Sequence, residues 1–294
     1  MLTDHFVRFG ETNLHHWRRV NRACWSIKYW EKAIHDDQHY GVWQTIDRQY
    51  RNNQISLRRG LRDYKMLYDS FLWKTILLKM GYSDYTKCIL ELLPGKSATI
   101  PVALCSLGFR GVLDRIDLEP EVLLPYKYLE YNVNWVRQNI FSDLQLNAPY
   151  DFIVGNHVID DLIFYCLARS QRHDGYQMLL DRNYIDPDKS TIIWQKCADS
   201  GEMQRIIHLI CSIFLLILRS MHSGATLMLR EYPAAFALQH GNLTHINAHL
   251  YAFHELSTNI AKVYNGNIRH LDLETISVPK GSRYPHSVLV ITKS

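Results

Sequence analysis

The sequence predicts an α/β fold: a seven-stranded, mostly parallel sheet whose last strand runs antiparallel, preceded by a helical region. Three observations predict it. From residue 85 onward, short apolar runs alternate with helical segments, the order that builds a mostly parallel sheet with helices on both faces. The last two runs are joined only through Pro279-Lys280-Gly281-Ser282. That turn is too short for a crossover helix, so this pair is antiparallel. Residues 1–84 contain no proline and repeat apolar side chains at three- and four-residue steps, the period of one helix face.

The elements follow in order. Trp17, Val20, Cys24, Ile27 and Trp30 share one helical face, and Leu61, Tyr64, Tyr68 and Ile76 share another. Gly81 is placed to stop the second helix. The predicted strands are Cys88 to Leu92, Val112 to Leu118, Val133 to Val136, Phe152 to Val154, Ala225 to Leu229, Ile268 to Val278 and Ser287 to Thr292. The clearest helices between them are 202–221 and 243–264. Two regions result: 1–84, helical and aromatic-rich, and 85–294, the sheet domain.

Composition bounds the function. Of 294 residues, 47% are hydrophobic and 21% charged, which suits a globular chain with a sizeable core and excludes disorder. The longest apolar run, Ile206 to Leu218, has 13 residues. A bilayer-spanning helix needs roughly 20, so the run reads as a buried helix. Six scattered cysteines without a CxxC pair suggest a reducing, cytoplasmic compartment and no structural zinc. Charge is uneven. Residues 1–84 carry 14 Lys/Arg against 9 Asp/Glu, and the remainder 19 against 20. The same region holds Trp17, Trp25, Trp30, Trp43 and Trp73, five of the seven tryptophans. Such a layer packs as core or covers a ligand, and Tyr29 and Trp30 are candidates for substrate contact.

Chemistry concentrates at strand ends. Ile89-Leu90-Glu91-Leu92 runs into Leu93-Pro94-Gly95-Lys96-Ser97-Ala98-Thr99: a strand ending in an acid, a tight turn, then small residues opening a helix. That arrangement brings backbone N–H groups and a helix N-terminus to the strand's C-terminal edge, where open α/β sheets bind ligands. Asp117 ends the second strand, twenty residues after Ser97, and is placed to accept two ribose hydroxyls. The loop is no P-loop, because residue 90 is Leu where GxxxxGK[ST] needs glycine. No GxSxG elbow and no HExxH is present.

This stretch resembles motif I of the class I S-adenosylmethionine-dependent methyltransferases, an acid followed by Gly-x-Gly-x-Gly. Gly95 matches the middle glycine, and Leu93 and Ser97 stand where the first and third are expected. Asp117 matches the family's ribose-binding acid. Asn139-Ile140-Phe141 looks like the loop that meets the adenine, and Asp151 to His157 looks like motif IV. The resemblance covers about residues 85–294. It implies a Rossmann-like methyltransferase sheet, S-adenosylmethionine as cofactor, and a cofactor site of Glu91, Leu93, Gly95, Ser97, Asp117, Leu118, Asn139, Ile140 and Asn156.

The second stretch, Asn156-His157-Val158-Ile159-Asp160-Asp161, ends the fourth strand and opens a helix. By the resemblance, the reactive methyl points there. Asn156 offers a carbonyl to an acceptor, and His157 offers a proton acceptor near neutrality. Asp160 and Asp161 either orient the histidine or cap the helix. Glu231 and Tyr232, after the fifth strand, are placed for the pocket rim. No metal is expected. The reading is methyl transfer to a small-molecule acceptor. Two alternatives stay open: a non-catalytic member of the fold, and an RNA methyltransferase served by the basic first region.

Overall fold

The computed structural model describes residues 69–70, 72–95, 97, 99–118, 131–142, 144–146, 149–170, 192, 201–231, 243–264, 267–272 and 287–293. Seven strands form one sheet in the order β3-β2-β1-β4-β5-β7-β6. They are β1 (Cys88–Leu92), β2 (Val112–Asp117), β3 (Asn132–Arg137), β4 (Phe152–Asn156), β5 (Thr226–Arg230), β6 (Asn267–Asp272) and β7 (Ser287–Thr292). Among the described residues, helices α1 (Thr99–Ser106), α2 (Ile159–Ser170), α3 (Glu202–Ser220) and α4 (Leu243–Val263) follow β1. β7 runs antiparallel to both β5 and β6, as the short 279–282 connection required. The order and the single reversed strand are those of the Rossmann-like methyltransferase sheet.

The described chain falls into two compact units. Among the described residues, one holds those of 69–154 and the other those of 155–272 and 287–293. The expected division at residue 84 adjoins residues 1–68, which lie outside the described residues, as does the 279–282 turn.

In the first unit β1, β2 and β3 pair in parallel, with Cys88 opposite Val112 and Val112 opposite Asn132. β1 and β2 are almost wholly buried, whereas β3 alternates between exposed and half-buried positions. β3 accordingly lacks the continuous apolar run of a strand covered on both faces. A helix at 72–79 contributes Leu72, Trp73, Ile76 and Leu77, all fully buried. Trp73, the described tryptophan of the aromatic-rich region, is therefore core. Gly81 ends this helix with φ 92°. Tyr82 N–H donates to the Leu77 carbonyl at 2.9 Å and Gly81 N–H to Leu78 at 3.2 Å, a Schellman cap that needs a left-handed residue.

In the second unit α3 packs against α2 and α4. Met203, Ile206, Ile207, Ile210, Cys211, Ile213, Phe214, Ile217 and Leu218 form its buried face. By length and composition α3 could cross a bilayer. Its inward apolar stripe and the exposed Arg205 and Arg219 instead mark a core helix of this unit. β6 spans Asn267–Asp272, and residues 273–278 of the predicted run lie outside the described residues.

Candidate functional site

Two polar clusters form, one in each unit, each at the C-terminal ends of strands.

The first surrounds the loop after β1. Parallel pairing sets Glu91 opposite Arg115 and Arg115 opposite Trp135, so the three side chains share one face in a row. Glu91 is 1% exposed, and Arg115 Nε donates to its Oε2 at 2.5 Å. Arg115 Nη2 donates to the Ser97 carbonyl, and the guanidinium stacks over the Trp135 ring, 4.3 Å from its centroid. The Arg is thus satisfied on an acid, a carbonyl and a π face at once. Burial pushes the Glu91 carboxyl up, the Arg115 charge and hydrogen bond oppose this, and Asp117 adds to the rise.

The loop itself is bent. Leu93 has φ 46° and Gly95 φ 51°. Glycine takes this left-handed backbone freely, whereas leucine is strained in it. Leu93 N–H donates to the Ile116 carbonyl at 2.9 Å, and Ser97 N–H to Pro94 at 3.0 Å. Gly95 N–H donates to Asp117 Oδ2 at 2.9 Å, and Leu118 N–H to Asp117 Oδ1 at 2.7 Å. Asp117 therefore clasps the loop from the end of β2, with one lone pair on each oxygen taken in these two bonds. Ser97 Oγ accepts from Thr99 N–H at 3.2 Å, opening α1 as a cap. Gln138 N–H donates to the Asp117 carbonyl at 3.1 Å. This draws in the loop after β3, where Asn139 Oδ1 accepts from Phe141 N–H at 2.9 Å and Ile140 is buried. Glu91, Leu93, Gly95, Ser97, Asp117, Leu118, Asn139 and Ile140 are thus brought together in one unit. Lys96 and Ala98 lie outside the described residues. Arg115 is the residue that sequence reasoning missed. Its signal was a charge inside an otherwise buried strand.

The second cluster lies where β4 meets α2. His157 has φ 63°. Among the described non-glycine residues, Leu93 and His157 alone have positive φ, and each follows the C-terminal end of its strand. Such strain persists where surrounding structure over-determines it. His157 N–H donates to the Arg230 carbonyl at 2.8 Å. Its Nδ1 lies 2.6 Å from Asp160 Oδ1. A carboxylate only accepts, so the Nδ1 hydrogen points to Asp160 and Nε2 keeps the lone pair. Asp160 thus orients the histidine, one of the two roles the sequence left open, and it also accepts from Asp161 N–H at 2.9 Å. Gly155, just before, has no room for a side chain: a Cβ there would meet Leu229 Cδ2 at 2.8 Å and Val158 Cγ2 at 2.9 Å.

Glu231 does something other than line a rim. It is 2% exposed, and its Oε1 accepts from Val158 N–H at 2.8 Å and Ile159 N–H at 2.9 Å. A carboxylate from the end of β5 thereby caps α2, where the helix dipole favours negative charge. The Asn156 carbonyl, expected to face an acceptor, takes a bond from Arg230 Nη1 at 3.1 Å. His157, Asp160 and Glu231 hold ligand-type atoms within 4.8 Å of one another. Within this cluster, Glu231 Oε1 and Asp160 Oδ1 already accept from backbone N–H groups. Tyr29, Trp30 and Tyr232 lie outside the described residues.

No protein-family model matches the sequence, and no curated protein matches it. Solved structures similar to the chain include the plantazolicin methyltransferase BpumL in complex with SAH, at 11% identity and TM-score 0.44, with both chains covered in full (100% of each). The mitomycin 7-O-methyltransferase MmcR is 14% identical at TM-score 0.41, covering 92% of this chain and 68% of that one. The N-methyltransferase NodS from Bradyrhizobium japonicum WM9 is 10% identical at TM-score 0.40, covering 76% and 95%.

Proposed function

We propose that the protein transfers a methyl group from S-adenosylmethionine to a small-molecule acceptor. The observation that carries this reading is the clasp between Gly95 N–H and Asp117 Oδ2 at 2.9 Å. It holds a bent loop and a carboxylate together at the C-terminal ends of two parallel strands, where nucleosides bind in open α/β sheets.

The residues present fit the cofactor. Asp117, a carboxylate at the end of β2, would accept the two ribose hydroxyls. A Cβ at Gly95 would meet open space, so a ligand can approach the loop there. Leu118, Asn139 and Ile140 would flank the adenine. Glu91 and Arg115 hold the loop from below through the Ser97 carbonyl. S-adenosylmethionine supplies an electrophilic methyl on a sulfonium, a good leaving group. The chain's own work is then positioning and proton handling. Asn156 donates an amide N–H to the acceptor. His157 Nε2 would take the proton that the acceptor loses as it is methylated and S-adenosylhomocysteine leaves, with Asp160 holding the ring in place. Tyr29 and Trp30 in the region 1–84, and Tyr232, would screen the acceptor from water.

A second reading, cofactor binding without transfer, is favoured by Leu93 at the first motif glycine. The test is calorimetry with S-adenosylhomocysteine on the wild type and on Asp117→Ala. The variant should bind more weakly by roughly 1.5–3 kcal/mol, the value of hydrogen bonds to a charged group. Unchanged affinity in a folded variant removes the ribose assignment. Binding without methylation of any acceptor from a metabolite extract selects the second reading.

A further inference from the structure

His157 sits in the left-handed backbone region, with φ 63°, and its N–H is bonded to the end of β5. Three successive N–H groups are taken up by two successive residues. His157 donates to the Arg230 carbonyl, and Val158 and Ile159 donate to Glu231 Oε1. An unstrained turn would let these amides point elsewhere. Here a single buried carboxylate fixes two of them.

Charge reinforces the arrangement. Asp160 and Glu231 are each 2% exposed, and both lie beside the imidazole within the 4.8 Å cluster. Among the described residues, the charged groups of the elements that hold His157 are Asp160 and Asp161 in the first turn of α2, Arg169 in its last turn, and Arg230 and Glu231 at the end of β5. Arg230 is fully buried, with Nη1 on Asn156. Two buried carboxylates against one guanidinium leave a net negative charge when His157 is neutral. Protonation of the imidazole balances it.

We infer that Glu231 is a positioning residue for His157, fixing its backbone through the Val158 and Ile159 amides and its proton affinity through a buried negative charge. This deepens the proposed function and rests on His157 being the group that takes the acceptor's proton. Glu231 stabilises the imidazolium that forms as that proton arrives, without touching the acceptor. A cap alone would need the oxygen but not the charge.

The test is an NMR pH titration of the His157 ring in the full chain, assigned by comparison with His157→Gln. Glu231→Gln keeps an oxygen for the two amides and removes the charge. Its His157 midpoint should fall by about one pH unit, as when a neighbouring opposite charge is lost, with the fold retained. A folded Glu231→Gln with the wild-type midpoint overturns the inference and leaves Glu231 as a helix cap. Should Glu231→Gln fail to fold, Glu231→Asp decides the backbone half. The shortened side chain keeps the charge but cannot span both amides, so hydrogen exchange at Val158 and Ile159 should accelerate while the midpoint stays near wild type. Unchanged exchange there also overturns the inference. None of these readouts uses the cofactor. A chain that binds no S-adenosylmethionine yet shows the shifted midpoint loses the proposed function and not the coupling. The reverse result loses only the coupling.

Discussion

Arg115→Met is the substitution that most sharply tests how the loop after β1 is held. The side chain is 1% exposed and bridges Glu91, the Ser97 carbonyl and the Trp135 ring. Methionine keeps the volume and apolar stem while removing the charge. Two losses follow, separable by pH. The bond to Ser97 and the stacking on Trp135 are lost at every pH, together about 1–2 kcal/mol. The charge penalty on Glu91 depends on ionisation. Removing one partner of a buried pair costs about 3–5 kcal/mol, because the other charge stays buried alone. Burial and Asp117 already push the Glu91 carboxyl up, and Arg115 opposes them; without Arg115 only the raising causes remain. A carboxyl raised in the folded state contributes stability below its unfolded value, and that contribution is lost as pH rises through the folded one. The deficit of Arg115→Met should therefore be small near about pH 5 and full near about pH 8. At about 2–4 °C per kcal/mol, the two losses together should lower the melting temperature at the higher pH by roughly 8–28 °C. The double variant Glu91→Leu with Arg115→Met should recover much of it, since well-packed apolar pairs replace buried ion pairs at little cost. Thermal melts at the two pH values on three variants suffice. A deficit equal at both pH values, or no recovery in the double variant, would refute the reasoning.

Three further outcomes are expected. Leu93→Gly removes a left-handed strain of about 1–2 kcal/mol at the cost of a half-buried side chain, so calorimetry should show S-adenosylmethionine bound at least as tightly as by the wild type. Weaker binding would mean that the Leu93 side chain itself contacts the cofactor. Gly155→Ala drives a Cβ into Leu229 and Val158, and should lower the melting temperature by the equivalent of about 1–3 kcal/mol, the overpacking range. An unchanged melt would show that β4 can shift there freely. His157→Ala should lower turnover by about 10²–10⁴-fold with cofactor affinity nearly intact. Wild-type turnover in the folded variant would move proton removal to another group.

The fold was largely legible because its signals are local. The bounds of β1 and β7 follow directly from the apolar runs Cys88–Leu92 and Ser287–Thr292. The reversed last strand follows from a connection too short to cross over. Residues in the site were legible as types and positions, and less so as partnerships. Asp117 stands at the end of β2 as the spacing required, but its grip on the Gly95 amide, 22 residues away, depends on how two strand ends meet. Arg115 looked like an ordinary charge until parallel register set it between Glu91 and Trp135. Glu231 reads as a loop acid in the sequence. It reaches amides 73 and 72 residues away, a pairing that no local pattern encodes. His157 adopts positive φ where glycine or asparagine would be the usual choice, because bonds from β5 and Asp160 hold it.

The central claim is that the loop after β1 and Asp117 together hold S-adenosylmethionine. Native mass spectrometry of the purified chain, with and without added S-adenosylmethionine and S-adenosylhomocysteine, tests it most directly when run beside Asp117→Asn. That variant keeps one acceptor oxygen for the Gly95 amide and loses the charge and second acceptor that suit a ribose. One cofactor should bind per wild-type chain, with clearly reduced occupancy in the variant. A folded wild-type chain that binds neither compound, or a variant that binds as fully as the wild type, would contradict it.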